Sequence, residues 1–363
     1  MIPVVEFVLG VAVLVYSAEK LIGYLVGVAS RWAVSLFLIA VVFTGIEFDD
    51  LAFGIVLNLE DLSNVALGTV IGTTIAMTGI VLALAAIIAP CRVDVPKDYL
   101  VLFVAAPVIM CVLALTGALT VLVGVVLVVL FIAFVVWIGY REYSARRPVW
   151  RNAEIYEQVE KAGDGDGGGT ATLTREGPPS EASRRGGFEL PVDLRLDQGF
   201  LSARRRSPWI ALLFAVVALA GLVVGAVVAG QGTEGILDDV HIDGTVFGVT
   251  IATLALSLED IFLTVEPNRR GAPEIGVANV IGSVVFSVTG KLGIILLVGG
   301  AITVEHSALV WHLPVLLVMT VLSAFFLATG QLRRWHGIVL LGLYIVYFVV
   351  SLLAFGGVPV DTD

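Results

Sequence analysis

The sequence predicts an all-α polytopic membrane protein: ten transmembrane helices built as two inverted five-helix repeats. Three observations carry that expectation. Hydrophobic residues make up 58% of the 363-residue chain and charged residues only 14%. Apolar runs recur at close to the roughly 20 residues that span a bilayer. Two polar motifs, around Asp50 and Asp260, repeat at a constant offset of 210 residues.

Taken in order, the spans are expected at residues 3–29, 33–57, 64–89, 98–116 and 119–140, then 209–230, 243–266, 274–300, 307–329 and 335–355. The opening MIPVVEFVLGVAVLVYSAEK has no basic leader and no small-residue cleavage site, so it reads as a retained first span rather than a removable signal. Between the fifth and sixth spans lies a polar stretch containing KAGDGDGGGT and REGPPSEASRRGG, whose Gly, Pro, Ser and charge content cannot bury a core. The chain therefore divides into a first repeat, 1–140, a flexible linker, 141–208, and a second repeat, 209–363. Asp164 and Asp166 begin a calcium-loop pattern in the linker, but Arg175 stands where its closing Glu belongs.

The composition excludes several function classes. Cys91 and Cys111 make neither a disulfide framework nor a metal cluster. No nucleophile and base pair, phosphate loop or cofactor motif is present, so neither an enzyme, a cofactor nor a nucleic-acid partner is expected. A net charge of -10, with 17 Arg against 4 Lys, is a composition of the halophile kind.

Threading ten spans in order places Arg31, Arg92, Lys97, the cluster from Arg141 to Arg151, Arg204 to Arg206, Arg269, Arg270, Arg333 and Arg334 on one side. The opposite loops hold Glu60, Asp61, Glu234, Asp238, Asp239, Asp243 and Glu305 and no Lys or Arg. By the excess of basic residues on cytoplasmic loops, the linker is expected inside a cell membrane and both termini outside. The second span then enters from the inside and the seventh from the outside. DDLAFGIVLNLEDLSNVALGTVIGTT from Asp49 lies on EDIFLTVEPNRRGAPEIGVANVIGSV from Glu259 without a gap, so Asp50 meets Asp260, Gly72 meets Gly282 and Thr73 meets Ser283. Inverted repeats with matched polar residues are a layout of secondary transporters, with the substrate near the midplane between the repeats.

Acids inside a span need a reason, because a carboxylate at the bilayer centre costs at least about 2.5 kcal/mol. The stretch TGIEFDD places Thr44, Glu47, Asp49 and Asp50 in one span, and LSLED places Ser257, Glu259 and Asp260 in its counterpart. With Thr73 and Ser283 nearby and no His or Cys in either cluster, the donors are those of a hard cation such as calcium. Glu47 shares a helix face with Asp50 and reads as a ligand or a proton carrier, whereas Asp49 and Glu259 point about 100° away and either line the approach or cap a broken helix.

These residues resemble the sodium/calcium exchanger family of cation/calcium antiporters. That family's repeats carry G-T-S-L-P-E and, eighteen residues after the Glu, G-N-x-I-G-S. Here they read GIEFDD with GTVIGT and ALSLED with ANVIGS, at the same spacing of eighteen from Asp50 to Gly68 and from Asp260 to Ala278. The resemblance covers nearly the whole chain outside the linker and implies a monomeric antiporter of calcium and sodium in the lipid bilayer. It implies Asp50 and Asp260 as the central calcium ligands, Ser257 as the ligand serine, and hydroxyl ligands at Thr73 and Ser283. The chain departs from the pattern where Asp49 and Glu259 replace its proline, Glu47 its first serine, and Met77 and Ser287 its later polar residues. Five acids in a low-dielectric site cannot all stay ionised, so proton coupling is the alternative to sodium. A non-transporting ion sensor or scaffold of the same fold is a further alternative. Lys291, within KLGIILLVGG, reads either as a tethered counter-charge or as a lysine snorkelling to a polar cavity.

Overall fold

The computed structural model describes residues 2–29, 47–145, 208–240, 242–269 and 273–355; the expected linker's residues 146–207 and the first part of the second expected span lie outside the described residues. The helices are α1 (Ile2–Ala29), α2 (Phe48–Leu59), α3 (Ser63–Ile88), α4 (Lys97–Ala114), α5 (Val121–Ala145), α6 (Pro208–Val240), α7 (Gly244–Leu256), α8 (Leu258–Arg269), α9 (residues 273–299), α10 (Ala308–Ala328) and α11 (Arg334–Phe355). Seven of the described helices are long and apolar enough to cross a membrane. Four two-residue strands join corners between helices: β1 (Cys91–Arg92), β2 (Ala118–Leu119), β3 (Ile302–Thr303) and β4 (Gln331–Leu332).

The 210-residue repeat of the sequence is repeated in the helix boundaries. α2 and α8 begin at 48 and 258 and end at 59 and 269. The regular parts Ser63–Ala76 of α3 and Pro273–Phe286 of α9 match in the same way, and each is followed by a π-helical turn, Met77–Val81 and Ser287–Lys291. Strand pairing follows the repeat too, since β1 pairs antiparallel with β4 and β2 with β3, so each half ties one corner to the other half at either end. Gly117 (φ 82°) and Gly330 (φ 69°) turn the chain into β2 and β4 in the left-handed region, where a side chain costs about 1 kcal/mol or more.

Packing sorts the helices into inner and outer positions. The apolar windows of α3 and α9 are each 83% buried, against 22% for α5 and α11. Val121, Leu122, Val129, Val136, Ile338 and Leu353 project outward from the latter pair, as lipid-facing helices require. α1 and α6 run antiparallel, with Leu14 on Gly225, Phe7 on Gly232 and Pro3 on Gly235. α3 and α7 run parallel and touch backbone to backbone through Gly68 and Gly248.

Two expectations need adjustment. The sixth span was expected at 209–230 but α6 runs on to Val240, because Gly232 and Gly235 let α1 lie against the extension and Thr233 Oγ1 bonds back to the Ala229 carbonyl at 2.8 Å. The seventh was expected as one helix over 243–266 and is instead two, α7 and α8, broken at Ser257.

Candidate cation site

In the two halves a helix begins after matching residues. Glu47 (φ -76°, ψ 85°) stands before α2, and Ser257 (φ -72°, ψ -2°) stands between α7 and α8. An acid pair lies in the first turn of each of these helices, Asp49 with Asp50 and Glu259 with Asp260. The first turn of a helix exposes unpaired N–H groups and the positive end of the dipole, which stabilises carboxylates there.

α9 runs parallel to α2 and meets it residue by residue. Lys291 Nζ donates to Glu47 Oε2 at 3.0 Å and to Asp50 Oδ2 at 2.7 Å. Thr73 Oγ1 donates to the same Asp50 oxygen at 2.7 Å, and Ser287 Oγ to the same Glu47 oxygen at 3.1 Å. Farther along, Gly54 faces Ile295, and Asn58 Nδ2 donates to the carbonyls of Ile295 at 3.2 Å and Gly300 at 3.3 Å. Lys291 is 0% exposed, so its charge is balanced inside the bundle and does not snorkel. Glu47 Oε1, Ser257 Oγ and Ser283 Oγ are buried and have no hydrogen-bond partner among the described residues. Ser283 neighbours the Glu47 carboxylate.

The second half-site is built differently. α8 packs on Met77–Val81 and on Leu82–Ile88 of α3. The residues equivalent to Ser287 and Lys291 are there Met77 and Val81, so the lysine occurs once. Ser257 and Asp260 are buried, and Asp49 is buried at the start of α2. Thr44 lies outside the described residues, as does the side chain of Glu259. Among the described residues, no three acidic, His or Cys side chains form a group able to hold a metal ion. Glu47 and Asp50 converge on Lys291 instead of on a shared ion position with the other acids.

Sequence reasoning missed a polar stripe below Asp260. Asn279 Nδ2 contacts Thr264 Oγ1 at 3.4 Å, while both amide atoms of buried Asn268 and Oδ1 of Asn279 lack partners among the described residues. Thr264 and Asn268 stand four and eight residues after Asp260, and Asn279 four before Ser283. That helical spacing from the expected ligands was a readable signal.

A separate polar knot lies where α3 and α7 begin. Glu305 accepts hydrogen bonds from Asn64 and from Thr245 Oγ1, the latter at 2.8 Å, and so ties both halves together. Burial and the neighbouring Asp243 raise the Glu305 pKa above its ordinary value, against the Thr245 hydrogen bond, which lowers it. The folded state then binds a proton more readily than the unfolded one, so stability rises as pH falls through that raised value. As pH is lowered from neutrality toward the ordinary carboxylate range, thermal unfolding in detergent is expected to show more stabilisation on acidification for the parent than for Glu305→Gln. Equal slopes for the two proteins would exclude Glu305 as the source.

Comparison with known proteins adds the family. A sequence model described as sodium/calcium exchanger protein matches residues 2–140 and 210–353. The chain belongs to that family. This exchanger-family chain is 25% identical over 346 residues to the uncharacterized membrane protein MJ0091 of Methanocaldococcus jannaschii, across 94% of its own length and 95% of the relative's. It is 29% identical over 139 residues to sodium/calcium exchanger MaX1 of Methanosarcina acetivorans, a match to 37% of this chain that spans 39% of that exchanger's length. In fold it is similar to the sodium-calcium exchanger NCX_Mj soaked with sodium and strontium, with a TM-score of 0.57 and 21% identity over 96% of this chain and 99% of that one. The exchanger-family chain is thus a multi-pass membrane transporter.

Proposed function

We propose that this protein is a secondary antiporter that exchanges calcium for sodium by alternating access between two inverted five-helix repeats. The carrying observation is the pair of matched helix starts, each with a buried acid in its first turn, Asp50 and Asp260, together with the buried oxygens of Glu47, Ser257 and Ser283 that have no hydrogen-bond partner among the described residues. Hard cations take carboxylate and hydroxyl oxygens, and half-helix ends inside a membrane are where transporters hold ions. The antiparallel packing of the equivalent helices α1 and α6 supports the inversion. Family membership, the name of MaX1 and the fold of NCX_Mj support calcium and sodium as the exchanged ions, and the gathering of basic residues on one side supports termini outside the cell membrane and the linker within.

In this reading calcium and the coupling cation compete for overlapping oxygens, and only a charge-compensated site permits the switch between inward and outward openings. Calcium uptake into proteoliposomes is to be followed under an outward sodium gradient, a proton gradient, and neither. Uptake that needs sodium and falls at least about a hundredfold in Asp50→Asn is the expected result. Uptake driven by protons alone would replace sodium with protons as the coupling ion, through the surplus acids. Calcium binding without flux under any gradient would replace the antiporter with an ion sensor.

A further inference from the structure

The ammonium of Lys291 sits where an incoming ion would have to bind. It bridges Glu47 Oε2 and Asp50 Oδ2 at 3.0 and 2.7 Å, and both acids carry a second hydrogen bond, from Ser287 and Thr73, that aims these same oxygens at it. A metal ion and an ammonium cannot share one pair of carboxylate oxygens, because two positive charges a few ångströms apart repel strongly in a poorly polarisable interior. Whatever cation reaches this half-site must therefore displace the lysine.

Three features separate this arrangement from an ordinary buried ion pair. The lysine lies on a π-helical turn, Ser287–Lys291, an irregularity concentrated at functional sites. Its counterpart in the other half is Val81, so only one of the two half-sites has it. Glu47, its first partner, is itself in the place of a smaller residue, since Ser257 occupies the matching position. The acid Glu47 and the base Lys291 thus occur in the same one of the two half-sites, facing each other.

We propose that Lys291 is a tethered counter-cation holding one monovalent coupling-ion position, so that the protein moves one fewer monovalent cation per calcium than a variant lacking that charge. The proposal rests on the antiporter reading. The logic is charge compensation: a half-site with bare carboxylates is too costly to occlude, and the ammonium supplies there the charge a bound sodium would otherwise bring. When calcium arrives, the four-carbon stem withdraws the ammonium from the oxygens; when calcium leaves, it returns. Lys291 is in this sense a specificity-determining residue that sets how many ions accompany each cycle.

The deciding experiment compares the parent protein with Lys291→Met and Lys291→Gln. Gln keeps a neutral donor over the same two acids, which guards against loss of the fold. In proteoliposomes with the voltage clamped, the calcium gradient that just stops net flux against a fixed sodium gradient gives the coupling number. That number is expected to rise by one in both variants. Separately, binding of radioactive sodium to the purified proteins is expected to tighten by at least about tenfold once the competitor is gone. An unchanged coupling number with unchanged sodium binding overturns the proposal and leaves Lys291 as a structural ion pair. If the parent shows no coupled flux, the antiporter reading falls, and the binding comparison alone decides whether the ammonium competes with sodium.

Discussion

Asp50→Ala is expected to lower unfolding free energy by about 3 kcal/mol, and adding Lys291→Met to restore most of that loss. Removing Asp50 leaves Lys291, which is 0% exposed, with Glu47 as its one remaining carboxylate partner among the described residues and leaves the Thr73 hydroxyl without its acceptor. A buried charge stripped of a partner is among the most costly defects in a folded protein, whereas replacing both members by groups of similar volume is often neutral. Thermal unfolding in detergent of the parent, both single variants and the double variant closes the cycle. A coupling energy near zero would show that the ammonium leaves the acid pair readily and reaches water. The double variant is expected to stay inactive in calcium flux, because it regains packing without regaining the ligand.

Gly248→Leu is expected to abolish assembly of the folded protein. A side chain at Gly248 would start 2.5 Å from the Val65 carbonyl oxygen and 2.9 Å from Gly68 Cα, and one at Gly68 would start 2.5 Å from the Thr245 carbonyl oxygen. The obstructing atoms are backbone, so no rotamer change relieves the clash. Even Gly248→Ala forces α3 and α7 apart, at about 1–3 kcal/mol. Gly342 in α11 is the natural control, since nothing lies within 4 Å of a side chain there. Gly342→Ala is expected to be neutral or to gain up to about 1 kcal/mol from helix propensity. Detergent size-exclusion profiles and unfolding temperatures separate the three, and a monodisperse Gly248→Leu protein would show that the crossing can open.

Much of the helical frame was legible because long apolar runs have few other fates. α3, α4, α9, α10 and α11 begin and end within a few residues of the boundaries that hydropathy gives. The break at Ser257 was legible only as one of two readings of Glu259, since ALSLED continues an apolar run with no Gly or Pro to mark a stop, and the change is one of backbone angle alone. The two-residue strands were invisible, being defined by partners more than 180 residues away. In the candidate site, the acids and hydroxyls could be named because the repeat places them twice. Lys291 could be noticed but not explained, because Glu47 and Asp50 lie 244 and 241 residues earlier and nothing local encodes the meeting. Asn268 and Asn279 escaped because an amide near the end of a span reads as a loop residue until its neighbours are known to be buried.

The position of Lys291 on its own short stem has a consequence for how the site meets its surroundings. A competitor dissolved in the medium acts in proportion to its concentration, so its grip varies with salinity. One carried on four methylene groups has an effective concentration fixed by geometry. The carboxylates of α2 therefore face the same rival in dilute and in concentrated salt, and any ion that displaces it is measured against that internal standard.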